Sequence, residues 1–453
     1  MKKQTDKTMN AHTWQSAFKG YLRPRIAIFS LLGFSCGLPF GLIGYALSLW
    51  LAASHVGLAA IGFFALVLLP YNFKFLWAPL VDRVQLPFLA KRFGAKKAWL
   101  MCFQIGLILS VWGLAAQTPN TNTWFLPWTV SNEDGETVQA FIPMQTYLFA
   151  LLTAFFAASQ DIVVDALRIN TLAKEEYGEG TSMYQFGYRM GMLISSAGVV
   201  ALASRISWEV AYMGVGCLIF VGLCATFCVR EAKIIETKTP MGRQFWYEMI
   251  VAPFQNFMTH AHWYLILVFI ILYKLCNAVL GRMALPFYKE MGFSDDEIAL
   301  VSGTIGPWIT MSGVAVGGVL AMKYPILKLL FALGCVEILT SVVFGVFSLF
   351  PHSIPVFLVV ILFDNIVGGM GGAVFAAYLS GLCARKYAAT QYALLSSLMM
   401  FSVSVISVYS GVWATQMGWM RFFFFTGVLM IPALCLLLWL IQLDKTHLST
   451  KRK

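Results

Sequence analysis

Residues 144–170 read MQTYLFALLTAFFAASQDIVVDALRIN. As a helix this run is about 40 Å long, enough to cross a bilayer with some tilt. It nevertheless closes on Asp161, Asp165 and Arg168, residue types that a lipid-facing helix excludes. Their i, i+4, i+7 spacing places all three on one helical face, and Asp165 and Arg168 can pair at i, i+3. A charged face on an apolar span must meet other helices or a water-filled cavity. The stretch therefore belongs to a bundle of spans.

Working outward, the 453-residue chain is 59% hydrophobic and only 12% charged. Soluble domains carry about 25% charged residues, so the composition specifies a polytopic membrane protein. Spans are predicted near 26–52, 58–79, 97–116, 144–170, 181–204 and 208–229. After a polar stretch, Arg230 to His262, six more follow near 263–287, 297–321, 326–350, 353–380, 388–415 and 421–443. The charges agree with an even number of spans. Basic residues gather in the N-terminal tail (Lys2 to Arg25), in the 2–3 loop (Arg83, Lys91, Arg92, Lys96, Lys97), at Arg385 and Lys386, and in the tail from Lys445. The 3–4 loop on the opposite side, residues 118–144, holds Glu133, Asp134 and Glu136 and no Lys or Arg. Twelve helices with both termini cytoplasmic are expected. They divide into an N-terminal tail (1–25), a first six-helix bundle (26–229), a linker (230–262), a second bundle (263–443) and a tail (444–453).

Several function classes fall away. The net charge of +11 follows membrane topology, and no basic helix or aromatic–basic groove marks a nucleic-acid partner. The nine cysteines form no C-x-x-C pair, so no zinc site or disulfide framework is indicated. No HExxH and no P-loop occurs. No metal, cofactor or catalytic residue is expected. Six helices, a charged linker and six helices is the plan of two-half secondary transporters, whose site lies between the halves. The 2–3 loop, PLVDR (79–83) to RFGAKK (92–97), resembles the signature loop of the major facilitator superfamily, with an insertion, VQLPFLAKR, between its acidic and basic parts.

Ionisable groups inside spans carry the functional reading. At about 1.5 Å of rise per residue, Asp161 lies about 13 Å and Arg189 about 12 Å from the cytoplasmic ends of their helices, so the two are level. Lys274 and Asp364 are both about 16 Å deep, and Asp165 is level with Lys74. Asp161 and Asp364 are the candidates for proton coupling. Lys74, Asp82, Arg83, Asp165 and Arg168, near the cytoplasmic boundary, are read as a gate. Tyr71, Gln160, Gln185, Tyr188, Arg189, Lys274, Asn277 and Asn365 are candidate substrate contacts, although each alone also suits a helix–helix hydrogen bond. On helix 5, Gly187 and Gly191 form a small-residue ridge, with Arg189 pointing away from it. The glycines of helix 1 read as close packing. The acidic stretches at 174–179 and 295–297 read as solvated loops.

Six stretches together resemble the AmpG-type muropeptide permease family of the major facilitator superfamily. They are LPYNFKFLWAPLVDR (69–83), ASQDIVVDA (158–166), GYRMGML (187–193), LYKLCNAV (272–279), FDNIVGGMGGAVFAAYL (363–379) and ATQYALLSSL (389–398). The helix 4 block is also similar to the acetyl-CoA transporter and siderophore permease groups. The GGMGG and ATQ-x-ALLS blocks are the sharper match. The resemblance implies proton-driven import of anhydro-muropeptides, peptidoglycan recycling fragments, across the bacterial inner membrane. Their carboxylates would fall to Arg189 and Lys274, and an amine or the proton to Asp161 and Asp364. The family pattern has an acidic residue where this chain has Asn277. The implied partners are a glycopeptide-like small molecule, protons and membrane lipid, with the chain acting as a monomer. A siderophore permease is the alternative. A membrane-embedded transferase would need a catalytic cluster at the membrane surface, and a sensor would need an output domain larger than 230–262.

Overall fold

A computed structural model describes residues 20–119, 123–131, 137–231, 242–350 and 352–450. The basic tail before residue 20, the acids Glu133, Asp134 and Glu136, linker residues 232–241 and the last three residues lie outside this set. The helices in chain order are α1 (Pro24–Ala53), α2 (Ala60–Leu76), α3 (Ala95–Ala115), α4 (Met144–Thr171), α5 (Lys174–Ala203) and α6 (Trp208–Cys228). The second set is α7 (Trp263–Glu290), α8 (Asp295–Lys323), α9 (Ile326–Phe347), α10 (Ile354–Leu382), α11 (Arg385–Met417) and α12 (Trp419–Leu443). Eleven are long and apolar enough to span a membrane.

The twelfth, α2, is broken. Pro70 and Pro79 withhold backbone donors, and 3₁₀ turns at Phe64–Leu68 and Lys74–Leu76 interrupt the α-helix before it resumes at Ala78–Arg83. A second break falls at Lys274, between Trp263–Tyr273 and Leu275–Glu290. Each break puts a lysine where the helix loosens.

Two expectations are corrected, that 174–179 and 295–297 are loops; the solvent exposure expected of 295–297 holds, with the Asp295 side chain 84% exposed. Residues 174–179 are the first turns of α5, and Glu176 and Glu179 are buried there. Glu176 accepts from the Ala173 N–H at 3.1 Å and pairs with Arg23 at 3.4 Å and with Arg25, so its charge serves a helix start. Residues 295–297 likewise open α8, in a capping box where Ser294 and Glu297 exchange hydrogen bonds. The 3–4 loop forms a hairpin of β1 (Thr123–Ser131) and β2 (Thr137–Pro143), antiparallel, with Thr123 opposite Pro143.

Glycines set the packing. A Cβ on Gly187 or Gly191 of α5 would collide with the backbone of α1 at Ser30 or Phe34, and one on Gly33 or Gly37 would collide with α5 at Tyr184 or Tyr188. Backbones in contact leave no room for side chains, the small-residue mode of membrane helix association. In the second half Gly313, Gly317 and Gly369 join α8 to α10 in the same way. The start of α1 and the end of α12 lie on one face, the terminal face, where Arg23 meets Glu176, Arg385 meets Leu172, and Leu382 and Leu443 line one cavity. The hairpin lies on the opposite one.

Candidate functional site

The described hydrogen bonds and ion pairs between α1–α6 and the chain that follows begin at the terminal face and reach the middle of the bundle. Outermost is Asp82, at the end of the broken α2. It is 3% exposed. Its carboxylate accepts from Lys96 Nζ (2.8 Å) on its own side. Across the interface it accepts from the backbone N–H groups of Ala389 (3.2 Å) and Thr390 (2.8 Å) and from the Thr390 hydroxyl (2.8 Å). It caps the first turn of α11, where unpaired N–H groups and the helix dipole favour an anion. Arg83 pairs with Glu248 at 2.8 Å, and its guanidinium lies 5.4 Å from the centre of the Tyr387 ring. Arg385 donates to the Leu172 carbonyl at 3.0 Å, and Tyr21 to that of Ala315 at 2.7 Å.

One layer deeper sits Arg168, with no exposed surface. It pairs with Asp165 at 2.9 Å, donates to Ser380 Oγ of α10 at 3.4 Å, and lies between the rings of Tyr184 (5.0 Å) and Tyr392 (5.3 Å). Four helices thus close around one guanidinium. Gln185 of α5 marks the innermost crossing, donating to the Gly372 carbonyl of α10 at 3.2 Å.

Above this seal lie the deep ionisable groups. Asp161 accepts a hydrogen bond from Tyr184 Oη at 3.2 Å. The charges acting on it are the Lys74 ammonium and the Asp165 carboxylate. Arg189 of α5 forms no salt bridge with Asp161, and its charge acts on Lys274 of the second half. Phe40, Tyr71, Tyr184 and Tyr188 form an aromatic wall beside Asp161, with successive ring centroids 5.4 to 6.2 Å apart. Gln160 is fully buried and donates to Ser35 Oγ (3.2 Å) and Cys36 Sγ (3.0 Å), which ties α4 to α1. Asn365 is similarly engaged, accepting from Thr310 at 2.6 Å and donating to the Ile361 carbonyl at 2.9 Å.

In the second half the expected level pairing of Lys274 with Asp364 gives way to a three-member arrangement. The added residue is Glu337 of α9, 3% exposed, which the sequence reading passed over. Asn277 donates to Glu337 Oε1 at 3.1 Å. The Glu337 charge acts on both Lys274 and Asp364. Lys274 Nζ hovers over the rings of Phe375 (5.5 Å) and Tyr273 (6.0 Å). Among the described residues Lys74, Arg189 and Lys274 form no salt bridge. Arg189, Lys274 and Asp364 are only partly covered, and Asp364 lines a small polar cavity with Asn277 and Glu337. Two cations without a salt bridge, one from each half, are suited to an anionic solute. No cluster of metal ligands occurs among the described residues.

Comparison with known proteins agrees with this architecture. The family model for acetyl-coenzyme A transporter 1 matches residues 22–212. A putative transporter AmpG 4 of Rickettsia felis is 32% identical over 426 residues, 93% of this chain and 97% of the relative. The anhydromuropeptide permease of Escherichia coli K12 is 32% identical over 420 residues, 92% of this chain and 80% of the relative. Among solved structures, the outward-conformation FucP transporter superposes with a TM-score of 0.66 at 9% identity, covering 93% of this chain and 99% of its own. The proton:xylose symporter XylE superposes with a TM-score of 0.61 at 15% identity, covering 92% and 94%. Both are transporters of the major facilitator superfamily, which gives the chain its fold: twelve helices in two six-helix halves. At this identity and coverage the chain belongs to the AmpG-type permease family, a family of multi-pass membrane transporters and not of enzymes.

Proposed function

We propose that the protein imports anhydro-muropeptides across the bacterial inner membrane together with protons. The observation that carries the reading is the pair Arg189 and Lys274, one in each half, both partly exposed and in no salt bridge among the described residues. A muropeptide bears peptide carboxylates, and a ligand that engages both cations draws the halves together. The aromatic wall of Phe40, Tyr71 and Tyr188 offers stacking faces for the sugar. Asp161 and Asp364 serve proton coupling, with Gln185 and Asn277 bordering the substrate. Gln160 and Asn365 act as helix ties. Lys74, Asp82, Arg83, Asp165 and Arg168 form the gate.

The halves are taken as 26–229 and 263–443, joined by 230–262. Both termini are cytoplasmic, because the basic loops gather on the terminal face, and the seal just described is then the cytoplasmic gate in its closed state. The chain acts as a monomer in the lipid bilayer. Uptake of labelled anhydro-muropeptide into proteoliposomes, with and without an inward proton gradient, tests the proposal. Acetyl-coenzyme A, free anhydro-disaccharide and ferric siderophore serve as competitors. Gradient-stimulated uptake displaced by anhydro-disaccharide or unlabelled muropeptide is expected. Uptake of siderophore or acetyl-coenzyme A instead would overturn the substrate assignment.

A further inference from the structure

Glu337 stands in the middle of α9 with its carboxylate turned into the bundle. Oε1 accepts the Asn277 amide, while Oε2 has no hydrogen-bond partner in the structure. A buried carboxylate oxygen left without a donor costs several kcal/mol unless a proton or cation meets it. Beside it lies a cavity with room for about one water molecule, lined by Asn277, Glu337, Thr340, Asp364 and Gly368 among others. Two carboxylates from different helices therefore open on one small polar space. Glycines make the space possible: a Cβ on Gly371 of α10 would stand 2.9 Å from Glu337 Oε1.

The surrounding groups can be named helix by helix. From α7 come Lys274, Tyr273, Cys276 and, facing Asp364, Tyr288; from α10 comes Asp364, and from α5 Arg189, whose charge acts on Lys274. From α12 the nearest polar group in the network is the non-titrating Thr426 hydroxyl, which donates to Ser341 at 3.1 Å. Lys274 is the cation that acts on Glu337, and it rests over aromatic rings instead of in a salt bridge with either acid.

We propose that Glu337 and Asp364 together form the proton-carrying site of the second half, holding one proton between them, with Lys274 as the group that displaces it. Two carboxylates facing one small cavity in a low-dielectric interior are not both ionised without a compensating charge. While Lys274 lies on the rings, a single proton from the open side supplies that charge. When the ammonium swings from Phe375 onto the pair, both carboxylates ionise and the proton leaves to water on the other side. One proton is taken up, one is released, and no other reactant is needed. The mechanism rests on the transport reading above, and it makes Glu337, rather than Asp364 alone, the partner on which Lys274 acts.

The test uses the full-length protein in proteoliposomes, with labelled anhydro-muropeptide and a pH-sensitive dye. E337Q is expected to lose gradient-driven accumulation by at least about tenfold, while tracer exchange at equal pH falls by only about threefold. Proton movement accompanying the substrate should fall with the accumulation, and E337D should restore both. Three results would overturn the proposal: E337Q accumulating substrate with unchanged proton movement, equal loss of exchange and accumulation without rescue by E337D, or a sodium gradient driving the wild type in place of protons. A substrate-independent measurement separates this proposal from the muropeptide reading. The infrared band of protonated carboxyl groups in the purified protein should lose the intensity of one carboxyl in the E337Q/D364N double variant. Unchanged intensity would refute the shared proton even if another solute proved to be the cargo.

Discussion

Replacing Asp82 by Asn tests whether the terminal seal is held by hydrogen bonds that exist only when the halves meet. The Asp82 carboxylate accepts four hydrogen bonds, three of them across the interface. The bond to Lys96 lies within the first half and is kept in any conformation. The bonds from the Ala389 and Thr390 amides and the Thr390 hydroxyl cross the interface and vanish on opening. Hydrogen bonds to a charged group contribute about 1.5–3 kcal/mol each. Asparagine keeps one carbonyl acceptor but loses the charge and the second oxygen, so a loss of about 2–3 kcal/mol from the sealed state is reasonable. That is about a 30- to 150-fold shift toward opening at this face. The damaged Lys96 contact lowers stability in both states and cancels from the ratio. Distance measurements between spin labels at Lys91 and Lys386, both exposed, would read the two populations directly. Labels carried on unnatural amino acids would spare the nine native cysteines. Thr390→Val, which removes one crossing bond, should give a smaller shift of about five- to tenfold. A change of less than about threefold in D82N, or a fall in Tm with unchanged populations, would refute the reasoning.

Asp161→Asn should abolish proton-driven uptake while reducing equal-pH exchange far less; full driven uptake in that variant would remove Asp161 from the coupling path. Lys274→Ala should weaken anhydro-muropeptide binding by about ten- to a hundredfold, the worth of one charged hydrogen bond, read by calorimetry on the purified protein. An unchanged affinity would show that this cation does not meet the substrate. Gly187→Val places a branched side chain against the Ser30 carbonyl and should cost at least about 1–3 kcal/mol, seen as a lower Tm. A Tm equal to wild type would mean that α1 and α5 can separate without loss.

The spans were legible because a helix in hydrocarbon must be long and apolar, and composition alone carries that requirement. The α5 glycine ridge was legible too, since Gly187 and Gly191 lie four apart on one face and Arg189 must then point away from α1. Depth along the axis was a weaker guide. It set Asp161 beside Arg189, but residues at one depth pair only if their faces meet; Asp161 takes its hydrogen bond from Tyr184, and Arg189 forms no salt bridge among the described residues. Glu337 escaped notice because its partner Asn277 lies sixty residues earlier in the chain, and nothing local to GCVEILT shows that α7 packs there. Its signal was nonetheless present, a lone acid in the middle of α9. The stretch 174–179 misled for the opposite reason. Its charge density suggests solvent, yet Glu176 and Glu179 are buried, with Arg23 and Arg25 neutralising the first.

Gly178 of α5 and Gly318 of α8 lie at the seal: a Cβ on Gly178 would stand 2.9 Å from the Gly318 carbonyl oxygen and 3.0 Å from the Ala321 side chain, and one on Gly318 would meet the side chains of Ser182 and Tyr21. The Ser182 and Tyr21 side chains can yield by degrees as rotamers rearrange, whereas the Gly318 carbonyl facing Gly178 has no such slack. At this point the two halves are either touching or apart, like a shutter without a ratchet. A single added methyl group would act as a doorstop there, so the size of these two residues governs whether the terminal side can shut at all.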